Sequence, residues 1–163
     1  ESRETFTYYP GNGFSKNSVA KTQTICLDSR KYNTVAYNID DNNYFKLRDI
    51  AQILNGTIKT FDVKYDGATN SIDMLSFYDY TSVGGELTPG DDVTRTAFSS
   101  SAFLTLDGVP IKATCYNIDG NNYFKLRDIT DALDCRVEWD DNNQLIWVVP
   151  SVPAYDDPNE AVG

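Results

Sequence analysis

The chain contains no histidine, so any chemistry it performs must come from three cysteines, two Arg-Asp pairs and a large supply of carboxylates. Cys26, Cys115 and Cys135 show no CxxC spacing and have no imidazole to complete a ligand set, which argues against a zinc site. An odd count allows at most one intramolecular disulfide. Two readings stand: Cys115 pairs with Cys135, or all three are small buried thiols that pack as apolar residues. The Arg-Asp pairs sit in a repeated tripeptide, Leu47-Arg48-Asp49 and Leu126-Arg127-Asp128. To act on a ligand they would need a nucleophile or a second acid nearby, and the sequence offers none. The structural reading is favoured: Leu47 and Leu126 plug the core, and Arg48, Asp49, Arg127 and Asp128 occupy a first helical turn, where Asp complements the positive end of the dipole. The Asp/Asn-rich turns present oxygens to calcium but lack the roughly 12-residue loop with a closing Glu that a dedicated site uses. No GxSxG elbow or phosphate-cradling glycine loop occurs. A glycosidase pair could not be told from chance among 24 acidic residues. No enzyme, cofactor or metal is expected.

The elements that carry these residues follow from an internal repeat. Tyr37–Ile50 reads YNIDDNNYFKLRDI and Tyr116–Ile129 reads YNIDGNNYFKLRDI, differing only at Asp41 against Gly120. The alignment runs backwards without a gap, setting Ile25-Cys26-Leu27-Asp28 against Leu104-Thr105-Leu106-Asp107. After a short insertion it resumes, with Val63-Lys64-Tyr65-Asp66-Gly67 matching Val137-Glu138-Trp139-Asp140-Asp141. Identity outside the central block is low, so something holds that block fixed within one chain.

Thr22–Leu27 and Ala102–Leu106 alternate and stop at Asp28-Ser29 and Asp107-Gly108, the pattern of strands entering hairpins. Return strands are expected over Thr34–Ile39 and Ile111–Ile118, then turns over Asp40–Asn43 and Asp119–Asn122. Leu47, Ile50, Ala51 and Leu54 recur at helical spacing, as do Leu126, Ile129, Thr130 and Leu133. Closing hairpins pair Phe61–Tyr65 with Ser71–Leu75 and Arg136–Trp139 with Gln144–Val149. The spacing predicts a β-rich α+β fold of two tandem β-β-α-β-β units, each a twisted antiparallel sheet over one short helix. The organisation is residues 1–21 as an N-terminal extension, 22–79 as the first repeat, 80–100 as a linker, 101–150 as the second repeat and 151–163 as a tail.

The composition, 40% hydrophobic and 13% aromatic, is that of a folded chain, and eleven Tyr and eight Phe against one Met favour sheets. A formal charge of −10 without a basic stripe speaks against nucleic acid. No apolar run approaches the roughly 18 residues that span a bilayer. The chain starts at Glu1 without an apolar export segment, as either a mature processed form or a trimmed piece would.

The block YNIxGNNYFKLRDIxxAL, followed by an aromatic-Asp turn and a β-branched strand, resembles the copper amine oxidase N-terminal-like domain, also called the stalk domain. The resemblance covers Thr22–Leu75 and Ser101–Val149, and Gly84-Gly85-Glu86-Leu87 is similar to the spacer between two such units. It implies a secreted protein of the surface of Gram-positive anaerobic bacteria. It implies no oxidase chemistry, because the domain is separate from the catalytic one and copper there needs histidines. The expected function is a non-catalytic extracellular stalk, anchor or adhesion unit whose partner is the cell envelope or other copies of itself. Two alternatives remain open. Tyr78, Tyr80 and Tyr155 could stack on the sugars of a glycan. Alternatively Thr5, Phe6, Thr7, Tyr8 and Tyr9 could complete a neighbour's sheet edge and build a filament.

Overall fold

Tight turns set the strand lengths. The computed structural model describes residues 15–155, so the expected strand at Thr5–Tyr9 and the tail beyond Tyr155 lie outside the described residues. The first half runs β1 Ser15–Val19, β2 Lys21–Leu27, β3 Arg30–Ile39, β4 Asn42–Lys46, α1 Leu47–Leu54, β5 Phe61–Asp66 and β6 Ser71–Ser76. The second runs β7 Thr94–Ser99, β8 Phe103–Leu106, β9 Val109–Pro110, β10 Cys115–Ile118, β11 Asn121–Lys125, α2 Leu126–Ala132, β12 Arg136–Asp140 and β13 Leu145–Val149. The fold is β-rich α+β, with two sheets in strand order β1-β7-β10-β11-β4-β3-β2-β13-β12 and β5-β6-β8-β9. No helix among the described residues is long and apolar enough to cross a membrane.

Three local expectations need correction. The turns of the central block take two residues each, not four. Asp40 and Asp41 have φ of 52° and 67°, Asp119 and Gly120 have 52° and 85°, and two successive left-handed residues make the type I′ turn that suits strand twist. The asparagines that follow open β4 and β11. The one difference inside the block, Asp41 against Gly120, therefore falls on a left-handed position that Gly adopts freely and Asp tolerates. Of the return strand expected over Ile111–Ile118 only β10, Cys115–Ile118, forms; the two-residue β9 ends at Pro110, which withholds a ladder donor, and residues 111–114 are not strand. Its counterpart β3 is continuous. Finally, Ser15–Val19 and Thr94–Ser99 are strands of the repeat itself, paired antiparallel to each other, where an extension and a linker were expected.

The strand pairing also departs from two self-contained units. Strands β4 and β11 pair antiparallel with Phe45 opposite Phe124, so the two copies of one phenylalanine face each other across a pseudo-two-fold axis. The closing hairpins are exchanged. β13 of the second repeat runs parallel to β2 of the first, and β6 of the first runs parallel to β8 of the second. Each repeat thus completes a sheet begun by the other.

Alternation along these strands divides the core in two. Strands β1, β7, β10, β11, β4 and β3 curl until β1 returns to β3, where Ser18 Oγ donates to the Asn38 carbonyl at 2.9 Å. Inside the curl Tyr37 meets Tyr123 edge-on at 5.0 Å, and Tyr44 meets Tyr116 at 5.1 Å, each pair taking one ring from each repeat. Such edge-to-face pairs suit the ring quadrupole. The opposite face carries Phe45 and Phe124 into one apolar cluster with Leu47, Ile50 and Leu54 of α1 and Leu126 and Ile129 of α2. Leu47 and Leu126, expected as separate plugs, share that core.

Candidate functional site

The exchange of hairpins creates two clefts that no single repeat could form. The larger, of about 510 Å³, lies between Lys46-Leu47-Arg48, Val63, Tyr65 and Ile72 of the first repeat and Asn117 and Gly120–Asn122 of the second. The smaller, of about 320 Å³, lies between Lys125-Leu126-Arg127, Val137, Trp139 and Ile146 of the second repeat and Asn38 and Asp41–Asn43 of the first. Every residue of the smaller cleft has its repeat counterpart in the larger. The larger gains volume because Phe98 and Ser99–Ser101 also border it.

Each side chain is placed by a simple local rule. The type I′ turn sets Asn38 opposite Asn43 and Asn117 opposite Asn122. Their amides bond across the strands, Asn38 Nδ2 to Asn43 Oδ1 at 3.1 Å and Asn117 Nδ2 to Asn122 Oδ1 at 3.2 Å. In each cleft a strand of the other repeat then passes straight into a helix, which brings Lys46 and Arg48, or Lys125 and Arg127, to the lining. Tyr65 and Trp139 stand on the closing hairpins and stay 57% and 44% exposed, large rings left open to solvent.

The Leu-Arg-Asp motif is used differently in its two copies. Leu47 and Leu126 are buried. Arg48 donates to the Tyr80 hydroxyl at 3.3 Å and lies 5.8 Å from that ring's centroid, whereas Arg127 is exposed. Asp49 is buried and accepts from Thr34 Oγ1 and, at 3.0 Å, from the Leu87 amide. Burial pushes its carboxyl up from the ordinary value, with those hydrogen bonds opposing. Asp128 accepts the Thr114 amide at 2.8 Å. Tyr80 in turn donates to Glu86, which also receives the amides of Val83 and Gly84 at 2.8 and 2.9 Å. Burial opposes ionisation of Glu86, but these donors outweigh it and hold the carboxyl down to about 2. Burial also pushes the Tyr80 hydroxyl up to about 12. Gly84-Gly85-Glu86-Leu87 is therefore strapped onto the start of α1.

The aromatic candidates do not form one exposed row. Tyr78 is exposed, Tyr80 is buried beside Arg48, and Tyr155 is exposed and donates to Asp131 of α2 at 3.0 Å. The exposed rings that border the clefts are Tyr65 and Phe98 in the larger and Trp139 in the smaller; of these, Tyr65 and Trp139 are repeat counterparts. Their signal was already in the alignment, where both hold the same position before the closing turn. The assembly candidates Thr5, Phe6, Thr7, Tyr8 and Tyr9 lie outside the described residues. Cys26, Cys115 and Cys135 are free and buried, and burial lifts the Cys115 and Cys135 thiols to about 12 and about 11. Among the described residues no three carboxylates or thiols converge as a metal cluster.

No protein-family model, curated protein or solved structure matches the chain.

Proposed function

We propose that the chain is a non-catalytic extracellular module of the bacterial cell surface, serving as a stalk, anchor or adhesion unit and related to the copper amine oxidase N-terminal-like domains that its repeated block resembles. The observation that carries this reading is the reciprocal exchange of closing hairpins between the two repeats. Two modules joined by a linker could part under load. Two modules that complete each other's sheets must break parallel and antiparallel ladders together before they separate. Such interlocking suits a unit that bears force or displays a surface. The two β-β-α-β-β units of the sequence reading survive in this proposal as an intertwined pair. Antibody raised against the purified chain should label unpermeabilised cells of the producing bacterium. Labelling that appears only after permeabilisation would overturn the reading.

A glycan-binding role is favoured as the second reading by one specific observation, the open aromatic ring at the edge of each cleft.

A further inference from the structure

Duplication alone explains why there are two clefts. It does not explain why their polar residues stayed the same. Outside the fixed block buried positions have diverged between the repeats: Phe61 corresponds to Cys135, Met74 to Val148 and Ile25 to Leu104, and all six are buried. Packing tolerates such swaps when neighbours adjust. Solvent-facing polar positions are ordinarily freer still, since surface substitutions usually change stability by only about ±0.5 kcal/mol. Yet Asn117, Asn121, Asn122, Lys46 and Arg48 of the larger cleft correspond to Asn38, Asn42, Asn43, Lys125 and Arg127 of the smaller, identical in every case. The cross-strand amide bonds account for one asparagine pair in each repeat. Asn42 Nδ2 also donates to the Asp40 carbonyl at 3.1 Å, and Arg48 is held by Tyr80. Among the described residues Asn121, Lys46, Lys125 and Arg127 are left without a side-chain hydrogen bond that would fix their identity.

The shared chemistry is specific. The chain has 24 acidic and 14 basic residues, but the larger cleft is lined by two cations and no carboxylate. The smaller has the same two cations and one carboxylate, Asp41, at the turn position where its counterpart has Gly120. Asparagine amides offer paired donors and acceptors. They suit neighbouring hydroxyls. An exposed aromatic ring offers a flat apolar face beside them. Both volumes fall in or near the roughly 300–1,000 Å³ of small-ligand sites. A ring with one flat apolar face, several hydroxyls and a negative charge is an acidic sugar.

We propose that the two clefts are a matched pair of binding sites for an acidic glycan, with Tyr65 and Trp139 as stacking platforms, the asparagines reading hydroxyls and Lys46–Arg48 or Lys125–Arg127 holding the carboxylate. The inference rests on the adhesion reading and gives it a ligand class. Because each cleft takes residues from both repeats, both sites exist only while the repeats remain interlocked. Two sites on one rigid body also raise avidity for a repeating polymer, by 10²–10⁴ when the spacing permits simultaneous engagement.

The test is calorimetric titration of the full chain with hexasaccharides of hyaluronate and of polygalacturonate, beside the neutral hexasaccharides of chitin and galactan. At least one acidic hexasaccharide should bind at two equivalents per chain, at least tenfold more tightly than either neutral one, and more weakly as salt rises. Tyr65→Ala and Trp139→Ala should each lower the stoichiometry to one, and the double variant should not bind while melting as the parent does. Should the alanine variants misfold, Arg127→Gln at an exposed position serves instead and should weaken one of the two sites. No saturation by either acidic sugar at millimolar concentration would overturn the proposal. So would binding that survives the double variant, equal affinity for the neutral sugars, or tighter binding of a ten-residue deoxythymidylate strand. Surface labelling by antibody stands independently of each of these results.

Discussion

Replacing Leu47 or Leu126 by alanine separates an interlocked body from a pair of beads. Both side chains are nearly inaccessible, 4% and 6% exposed, and both belong to one apolar cluster that includes α1, α2 and strands from each repeat. Truncating a buried leucine costs about 2–5 kcal/mol through lost transfer energy and the cavity left behind. For a domain of this size that lowers the melting temperature by about 4–20 °C. The decisive quantity is the shape of the transition. If each repeat were its own unit, Leu47→Ala would shift one transition and Leu126→Ala another, leaving half the heat unmoved. With a shared core and exchanged hairpins, either variant should shift a single transition that contains all the heat. Differential scanning calorimetry checks this, and hydrogen exchange should show the β12–β13 amides losing protection in Leu47→Ala, in the repeat that was not mutated. Two resolved transitions, each answering to one variant, would refute the interlocked account.

Gly90→Ala should destabilise the fold and loosen the connection between the repeats, because an added Cβ would overlap the Ala20 carbonyl oxygen and the Lys21 backbone, while Gly90 is already bound to Thr22 Oγ1 at 2.9 Å; thermal melting with limited proteolysis after Gly85 reads the change. Asp41→Gly should raise stability by up to about 1 kcal/mol, since it removes a side chain from a left-handed residue; denaturant titration measures it. Glu86→Gln tests an acid-sensitive strap. A carboxyl depressed from 4.5 to about 2 adds stability that is present above 4.5 and lost as pH falls through that window. The parent's melting advantage over Glu86→Gln should therefore shrink between pH 4.5 and 2. A gap that stays constant down to pH 2 would mean that the charge contributes nothing.

The local fold was legible where periodicity is strong. The helix expected at Leu47–Leu54 and the hairpin of Phe61–Tyr65 with Ser71–Leu75 lie in α1 and β5–β6, since spacing along one segment fixes which face is apolar. The partner of each hairpin was not legible. A strand such as Leu145–Val149 presents the same alternation whether it lies beside its own repeat or the other copy, and only three-dimensional packing selects β2. Ser15–Val19 carries little apolar signal in its polar run SKNSV, and it is ordered by pairing with its own copy, Thr94–Ser99. Tyr80 looked like a free ring because nothing local reports that Arg48 and Glu86 converge on it from either side. The clefts leave no sequence signal for the same reason as the exchange, since about half of each lining comes from the other repeat.

Packing across a pseudo-two-fold axis accounts for part of the fixed block, and the proposed binding sites would account for a different part. A pseudo-two-fold axis makes a sequence pack against itself. Phe45 faces Phe124 across that axis, and Tyr37 and Tyr44 of one repeat meet Tyr123 and Tyr116 of the other. A change in one copy must then fit an unchanged partner, so residues near the axis resist drift as a group. That argument holds for Tyr37, Tyr44 and Phe45, and for the two-residue turn that sets their register. It reaches Lys46 and Lys125 only through the backbone register that sets them opposite Tyr123 and Tyr44, and it does not reach Asn42 or Arg48, which are outside the β4–β11 pairing. Asp49 shows how the two constraints separate. It keeps its identity in both repeats, but one copy is buried under the Leu87 amide and the other takes the Thr114 amide nearer the surface. Identity at Asp49 and Asp128 has therefore persisted through divergent surroundings. Arg48 and Arg127 likewise differ, one held by Tyr80 and the other exposed. Identity at Asn38 and Asn43, and at Asn117 and Asn122, has persisted in matching surroundings, each pair bonded across its strands, as the proposed pair of sites would require.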